Sequence, residues 1–150
     1  MKKEEICCFA GHRNIGDIRI TDKIEKIARV LIENDGVKEF WVGKYGDFDR
    51  YAASVIRKLK KEYNDIALVL ILAYIPSNKN KEIFEENYDS TCVLGGLDNT
   101  PYKYRIIKAN QEMVRNSGHM ISYVKYEWGG AYKTIQYAEK TGSIKIYNII

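Results

Sequence analysis

The sequence predicts an α/β fold, a Rossmann-like three-layer α/β/α sandwich around a mostly parallel sheet. Short apolar segments alternate along the chain with segments whose apolar residues recur at helical spacing. This alternation is typical of βαβ units, which place parallel strands side by side and helices on both faces. Ala67–Tyr74 is apolar almost throughout, as expected of a central strand that is covered on both faces. At 150 residues, the length suits one domain, so we expect residues 1–150 to form a single unit.

The first predicted unit is a strand, a loop and a helix. Glu5–Ala10 is a short apolar run that stops at Gly11, which indicates a buried strand leading into a turn. Thr21 is expected to cap the next helix, and Asn34–Gly36 to end it. The inward positions of that helix are Ile24, Ile27, Ala28, Leu31 and Ile32.

The second unit repeats this order, with a strand over Glu39–Val42, a loop over Gly43–Asp49 and an amphipathic helix over Arg50–Tyr63. After the third strand, Ser77–Pro101 is expected to be irregular, with a short helix around Lys81–Glu86. A connection this long is uncommon unless it is functional. The remaining predicted elements are a helix over Tyr102–Asn116, a strand over His119–Val124, a loop and helix over Trp128–Lys140, and a last strand over Ser143–Ile149.

Composition points to a folded protein in a reducing setting. The chain is 45% hydrophobic and 29% charged, and its longest apolar stretch, Ile66–Ile75, is too short to cross a bilayer. We find no secretion or anchoring signal, and therefore expect no membrane partner. Cys7 and Cys8 are adjacent, and Cys92 alone cannot make a disulfide framework. A cytoplasmic location is expected.

Four loops follow predicted strands and are the candidate ligand site. They are Gly11–Gly16, Gly43–Asp49, Tyr74–Pro76 and Glu127–Thr134. In an open parallel sheet, ligands bind beyond the carboxyl ends of the strands. These loops are therefore expected to meet around one cleft.

The Glu127–Thr134 loop is the best candidate for a phosphate site. Gly129 and Gly130 would let a phosphate approach the backbone at the start of a helix, where amide donors and the helix dipole favour an anion. Lys133 would add a charge and Thr134 a hydroxyl. The alternative is that the two glycines only form a tight turn.

The first loop pairs Gly11 with His12 and Arg13. An arginine there can grip a phosphate with two hydrogen bonds, although an ordinary surface charge is the alternative. His12 is expected to bind or pack more readily than to catalyse, and His119 is expected to be structural.

In the second loop, Gly43 and Gly46 permit close backbone approach. Asp49 would either cap the following helix or accept hydrogen bonds from a ribose, capping being the favoured role. Tyr74 is expected to border the same cleft. Candidate stacking surfaces for a base are Tyr45, Phe48, Tyr74, Tyr102, Tyr104, Trp128 and Tyr132.

Several other kinds of site lack their motifs. The chain has no CxxC, HExxH, GxSxG or GxxxxGK[ST] segment and only two histidines. We therefore expect no metal and no tightly held cofactor.

Four segments together resemble a known superfamily. They are CFAGHR at Cys8–Arg13, GKYGDFDRYAA at Gly43–Ala53, NQEMVRNS at Asn110–Ser117 and WGGAYKT at Trp128–Thr134. Their order and spacing resemble the SLOG superfamily, named for DprA (Smf) and the LOG enzymes, and in particular its small bacterial members with a GHR motif. The similarity covers nearly the whole chain. It implies a Rossmann-like domain that binds nucleotides or nucleotide-derived signals. Members of the superfamily often pair through helices, so the resemblance also makes a homo-oligomer possible for this chain.

The resemblance also separates binding from hydrolysis. LOG-type enzymes share Arg-Lys-x-x-Met and Pro-Gly-Gly-x-Gly-Thr-x-Glu-Glu segments, whose arginine and glutamate serve hydrolysis. In this chain Ala109 occupies the position of that arginine, and Gln136 lies near the position of that glutamate. The expectation is therefore binding or sensing of a nucleotide-derived small molecule rather than catalysis.

Two alternatives stay open. A LOG-like phosphoribohydrolase would use Asp49, Glu112 or Glu139 as its carboxylate. A DprA-like nucleic-acid module would use the basic run Arg57–Lys61 with Lys44 and Lys133, and ranks last because acids are interspersed among the bases of this chain of net charge +4.

Overall fold

The computed structural model describes residues 1–95 and 100–150. After a 3₁₀ turn over Lys3–Glu5, the elements are β1 (Ile6–Gly11), α1 (Ile20–Asp35), β2 (Glu39–Val42), α2 (Asp47–Lys60), β3 (Ala67–Leu72), α3 (Asn78–Asn87), β4 (Ser90–Val93), α4 (Tyr102–Arg115), β5 (His119–Tyr123), α5 (Gly130–Thr141) and β6 (Lys145–Asn148). The strands form one sheet in the order β4-β3-β2-β1-β5-β6, and every neighbouring pair is parallel. The predicted fold class is confirmed.

Two hydrophobic cores lie on the two faces of the sheet. Along β1 the side chains alternate, because successive residues of a strand point to opposite faces. Cys7 and Phe9 face the core that α1 and α2 cover, whereas Cys8 and Ala10 face the core that α4 and α5 cover. This alternation produces the three layers. None of the helices in the described part of the chain is long and apolar enough to cross a membrane.

Strand β4 was not predicted and lies in the stretch expected to be irregular. It pairs with β3 at the edge of the sheet, where Val69 is the partner of Ser90. Ser90 and Thr91 are exposed, so the strand lacks the apolar run that marks a buried one. Helix α3, in the same stretch, is longer than predicted because Ser77 caps it by accepting from the N–H of Asn80. Residues 96–99 of the predicted irregular stretch lie outside the described residues.

Two helix starts differ from the prediction. Helix α1 begins at Ile20, and Thr21 does not cap it, since its hydroxyl donates to the carbonyl of Ile18. Helix α2 begins at Asp47, three residues before the predicted Arg50, because Gly46 takes a left-handed φ of 119° at the cap. The loop before α2 is therefore shorter than expected.

The cysteines are free thiols. Cys7 and Cys8 are fully buried in β1, and burial raises the pKa of Cys8 to about 12. A thiol held protonated in this way is a poor nucleophile and a poor metal ligand. Both side chains therefore act as core residues.

Candidate ligand-binding cleft

The cleft lies where the strand order changes direction. From β1 the chain runs to β2, β3 and β4 on one side of the sheet, and then returns to place β5 and β6 on the other. Such a reversal leaves a crevice above the carboxyl ends of β1 and β5, the two strands between which the order reverses. A cavity of about 450 Å³ opens there, within the usual size range of small-molecule sites.

Most of the predicted site residues line this one cavity. They are Gly11, His12, Arg13, Gly43, Asp49, Gly129, Gly130 and Thr134. Three others do not line it, namely Gly46, Tyr74 and Lys133. Three loops that are distant in sequence thus meet at the carboxyl ends of the strands, as expected. Which of their residues line the cavity depends on the folded chain.

Gly11 and Gly46 are needed for packing. A Cβ on Gly11 would lie 2.3 Å from Cγ of the buried Phe48, the second residue of α2. A Cβ on Gly46 would lie 2.5 Å from Cα of Arg13. Both glycines therefore let the first loop and the start of α2 lie against each other.

Asp47 ties the same two segments together with hydrogen bonds. Its backbone N–H donates to the carbonyl of Arg13 at 2.8 Å, and its carboxylate accepts from the N–H of Ile15 at 2.8 Å. The first turn of α2 also contains Asp49. Two carboxylates thus stand where an anion would otherwise meet the positive end of this helix, so the start of α2 disfavours a phosphate.

Asp49 is half-buried beside the cleft, and its carboxylate binds the loop that precedes its own helix. Its carboxylate accepts from the N–H of Tyr45 at 3.1 Å, and the missing side chain of Gly43 makes room for it, since a Cβ there would lie 2.9 Å from Oδ2. Burial raises the pKa of Asp49 to about 6, although these amides and the charge of Arg13 oppose the rise. The predicted capping role of Asp49 is wrong, because α2 begins two residues earlier and Gly46 is its N-cap. The carboxylate binds the loop N–H of Tyr45 instead and keeps accepting capacity for a ribose, a role that stays a prediction.

His12 holds the first loop to the loop after β5. Its Nε2 accepts the backbone N–H of Lys125 at 2.8 Å, and its ring lies 5.0 Å from that of Tyr126. Burial, together with the charge of Lys125, lowers the pKa of His12. The neutral ring acts as a hydrogen-bond acceptor, and its lone pair is already used.

The start of α5 is open toward the cleft. Gly129 takes a left-handed φ of 94° as the cap, and a Cβ on Gly130 would meet no atom within 4 Å. Lys133 is the first residue whose N–H bonds back, to the carbonyl of Gly129. Within the described residues no acceptor takes the N–H groups of Gly130 and Ala131. Unlike α2, this helix has no acidic residue in its first turn.

Thr134 lies at the cleft, where its side chain is buried. Its hydroxyl donates to the carbonyl of Gly130 at 3.0 Å. The hydroxyl proton is therefore used inside the helix, and the oxygen lone pairs remain for a ligand. Lys133 is exposed on α5, outside the cleft.

Arg13 is the cation of the cleft. Its guanidinium forms no ion pair with any carboxylate in residues 1–95 and 100–150, although its charge acts on Asp49 and Tyr45. The side chain is exposed and lines the cavity. An arginine without a partner carboxylate is available to bind an anionic ligand.

Tyr74 lies just behind the cleft rather than in it. Strand β3 ends at Leu72, and the hydroxyl of Tyr74 lies near the amine of Lys44, which lowers the pKa of Tyr74. Tyr45 lines the cavity, and burial, with the neighbouring Tyr74, raises the pKa of its hydroxyl. Tyr74 thus acts on the site through Tyr45.

Helix α4 supplies a wall that sequence reasoning missed. Ile106, Ala109, Asn110 and Met113 line the cavity. They occur in a regular amphipathic pattern with no glycine or loop signal to mark them. The resemblance pointed to this helix through the NQEMVRNS segment and the comparison of Ala109 with the LOG arginine, but none of these wall residues was predicted to bind a ligand.

Asp49 is the one carboxylate among the described residues that lines the cavity. Glu112 is turned to the N–H of Gly95, which it binds at 3.1 Å, and Glu139 is exposed on α5. Gln136 is also exposed, whereas Ala109 is buried against the cleft. No group of three His, Cys, Asp or Glu side chains in the described part of the chain is placed to hold a metal ion.

The basic run on α2 is engaged within the protein. Arg57 donates to the carbonyl of Asn87, Lys58 pairs with Glu25, and Lys60 pairs with Asp89. Two of the four basic residues of the run, Lys58 and Lys60, are thus paired with carboxylates, which reduces the charge that the nucleic-acid alternative requires.

Comparison of the sequence with known proteins found no matching family model and no matching curated protein.

Proposed function

We propose that the cleft binds a nucleotide or a nucleotide-derived small molecule, with a phosphate at the start of α5. The supporting observation is that one cavity, at the point where the strand order reverses, is lined by Gly130 and Ala131, whose N–H groups have no acceptor within the described residues, and by Arg13. A helix start with unpartnered amides and a nearby cation favours a phosphate.

The distribution of charge between the two helix starts determines which one receives the anion. The start of α2 contains Asp47 and Asp49, whereas the start of α5 has no acid. A phosphate therefore belongs at α5, and the Asp49 carboxylate faces the hydroxyl-bearing part of the ligand. This arrangement accords with the proposed membership of the SLOG superfamily, because the segments that carry that resemblance are the ones that line the cavity.

Thermal stability with added ligand tests the proposal. A ligand that binds only the folded state at 100 times its Kd stabilises by about 2.7 kcal/mol, or roughly 5–11 °C in Tm for a chain of this size. We expect such a shift with at least one member of a panel of mononucleotides, dinucleotides and cyclic ADP-ribose isomers. No shift with any of them at saturating concentration would refute the proposal.

Arg13→Ala, with Lys61→Ala as the matched control, tests the anion contact. Both changes remove one positive charge, but Lys61 follows the last residue of α2, at the end opposite the cleft. Loss of a charged hydrogen bond weakens binding by about 1.5–3 kcal/mol, roughly 10- to 150-fold. Equal affinities of the two variants would contradict a phosphate beside Arg13.

Hydrolysis is the second candidate, and Asp49 is the observation that favours it. A carboxyl group with a pKa of about 6 beside a ligand cleft suits general acid–base work near neutral pH. In this reaction water would add to the ribosyl carbon as the bond to the base breaks. Asp49 would take one proton of the water, the departing base would take up a proton from solvent, and Asp49 would return its proton to solvent afterwards. Release of free base from AMP by the wild type, abolished in Asp49→Asn while binding persists, would establish it.

A further inference from the structure

Three aromatic rings lie in succession along the wall of the cleft, a tilted pair at 41° followed by a stacked pair. The ring centroids of His12 and Tyr126 lie 5.0 Å apart, and those of Tyr126 and Trp128 lie 5.2 Å apart with the planes only 18° from parallel. All three residues line the cavity. The His12 end is held in place by its hydrogen bond from Lys125. The row of rings is therefore fixed at His12 and ends at the exposed Trp128.

Trp128 is the open end of this row. Tyr126 neighbours two aromatic rings, whereas Trp128 stacks only on Tyr126 among the described residues and is 69% exposed. Tryptophan is a highly buried residue on average, because its large apolar surface is costly to hydrate. The uncovered face thus has room, and a physical preference, for one more planar group.

The position of Trp128 identifies that group. The residue directly precedes Gly129, the cap of α5, and so adjoins the N–H groups that receive the phosphate in the proposed function. We propose that the free face of Trp128 stacks on the heterocyclic base of the bound nucleotide. This inference rests on the proposed function and names the part of the ligand that the loop after β5 recognises.

Recognition by stacking has a consequence for specificity. Every base has a π-face, so stacking on an aromatic side chain tolerates different hydrogen-bonding edges and responds to ring area. Trp128 therefore selects for the presence and the size of a base rather than for its identity. Purine nucleotides bind more tightly than pyrimidine nucleotides, and both bind more tightly than a base-free sugar phosphate.

AMP, UMP and ribose 5-phosphate are the probes that test this, the last having the sugar and phosphate without a base. Base–aromatic stacking corresponds to roughly 5- to 150-fold in affinity. We expect AMP to exceed ribose 5-phosphate by this factor, with UMP between them, in titrations by calorimetry. Trp128→Ala should abolish the difference and leave the affinity for ribose 5-phosphate unchanged, and Trp128→Phe should retain most of it.

Fluorescence supplies an independent readout. The chain has two tryptophans, and Trp41, whose indole donates to Glu39, does not line the cavity. In a Trp41→Phe background, AMP should alter the emission of Trp128, and ribose 5-phosphate should alter it far less.

Four results would overturn the inference in distinguishable ways. If Trp128→Ala binds AMP as the wild type does, while Arg13→Ala does not, the phosphate site stands and stacking is wrong. If the wild type binds none of the three probes and no member of the larger nucleotide panel, the proposed function fails together with the inference; if it binds only a dinucleotide or a cyclic ADP-ribose isomer, equal affinity of Trp128→Ala for that ligand overturns the stacking alone. If Trp128→Ala lowers the sedimentation coefficient of the ligand-free protein, a second copy covers the ring instead.

Discussion

Replacing Gly11 by alanine should disturb the packing of the first loop against α2. The added Cβ would lie 2.3 Å from Cγ and 2.5 Å from Cδ2 of Phe48, well inside any tolerated separation. Phe48 cannot swing away freely, because it is buried and its ring packs against Phe9 and Tyr123, with centroids 6.1 and 6.4 Å distant. The start of α2 must shift instead.

The size of the effect follows from this overpacking. Extra atoms forced into a well-packed core cost about 1–3 kcal/mol, which lowers Tm by roughly 2–12 °C in a chain of this length. Urea unfolding followed by circular dichroism measures the free energy directly. Because the displaced helix contains Asp47 and Asp49, any nucleotide affinity should fall as well.

Gly16→Ala is the matched control, since it makes the same chemical change at the other end of the loop. A Cβ there meets no atom within 4 Å, and the residue does not take a left-handed φ. Its stability should be unchanged within about 0.5 kcal/mol or slightly raised, because alanine restricts the unfolded chain.

A double variant completes the test. Phe48→Leu removes the ring that the new methyl group meets, so Gly11→Ala should cost less in that background, with a coupling of about 0.5–3 kcal/mol. The packing argument is refuted if Gly11→Ala is as stable as Gly16→Ala. It is also refuted if the losses of unfolding free energy in Gly11→Ala and Phe48→Leu simply add in the double variant.

Two further predictions concern the walls of the cleft. The pKa of Asp49 rises from 3.8 to about 6 on folding, so the native state holds this proton more tightly than the unfolded state does. The free energy of unfolding of the wild type relative to Asp49→Asn should therefore fall by up to about 3 kcal/mol between pH 4 and 7. A relative stability that rises with pH in urea titrations would contradict the burial argument. Gly129→Ala should destabilise the protein by about 1–2 kcal/mol because of its left-handed φ. Gly130→Ala should keep full stability yet weaken phosphate binding. If the two variants rank in the same order in the stability assay and in the binding assay, this would argue against an open helix start.

Much of the fold follows from local patterns. The apolar runs of β1, β2, β3, β5 and β6 and the helical periodicity of α1, α2, α4 and α5 are properties of short windows of sequence. Edge strand β4 escaped prediction because its exposed serine and threonine contribute no apolar run. Gly36 ended α1 as predicted, since a left-handed cap is a local requirement that glycine meets.

The site itself was predictable only in outline. Glycine loops after strands indicate a cleft at the carboxyl edge, because that rule needs only the order of elements. The bond between His12 and Lys125 joins residues 113 positions apart, and it exists because β1 and β5 are neighbours in the sheet. No local pattern contains that pairing.

The sequence by itself therefore determined the fold class, the position of most elements and the loops that meet at the cleft, because apolar periodicity and turn chemistry act over a few residues. The tertiary structure decided which helix start is free for an anion, that α4 forms a wall, that burial raises the pKa of Asp49, and that Trp128 ends a row of aromatic rings. Each of these depends on which segments the strand order places side by side, and on how much water the resulting contacts exclude.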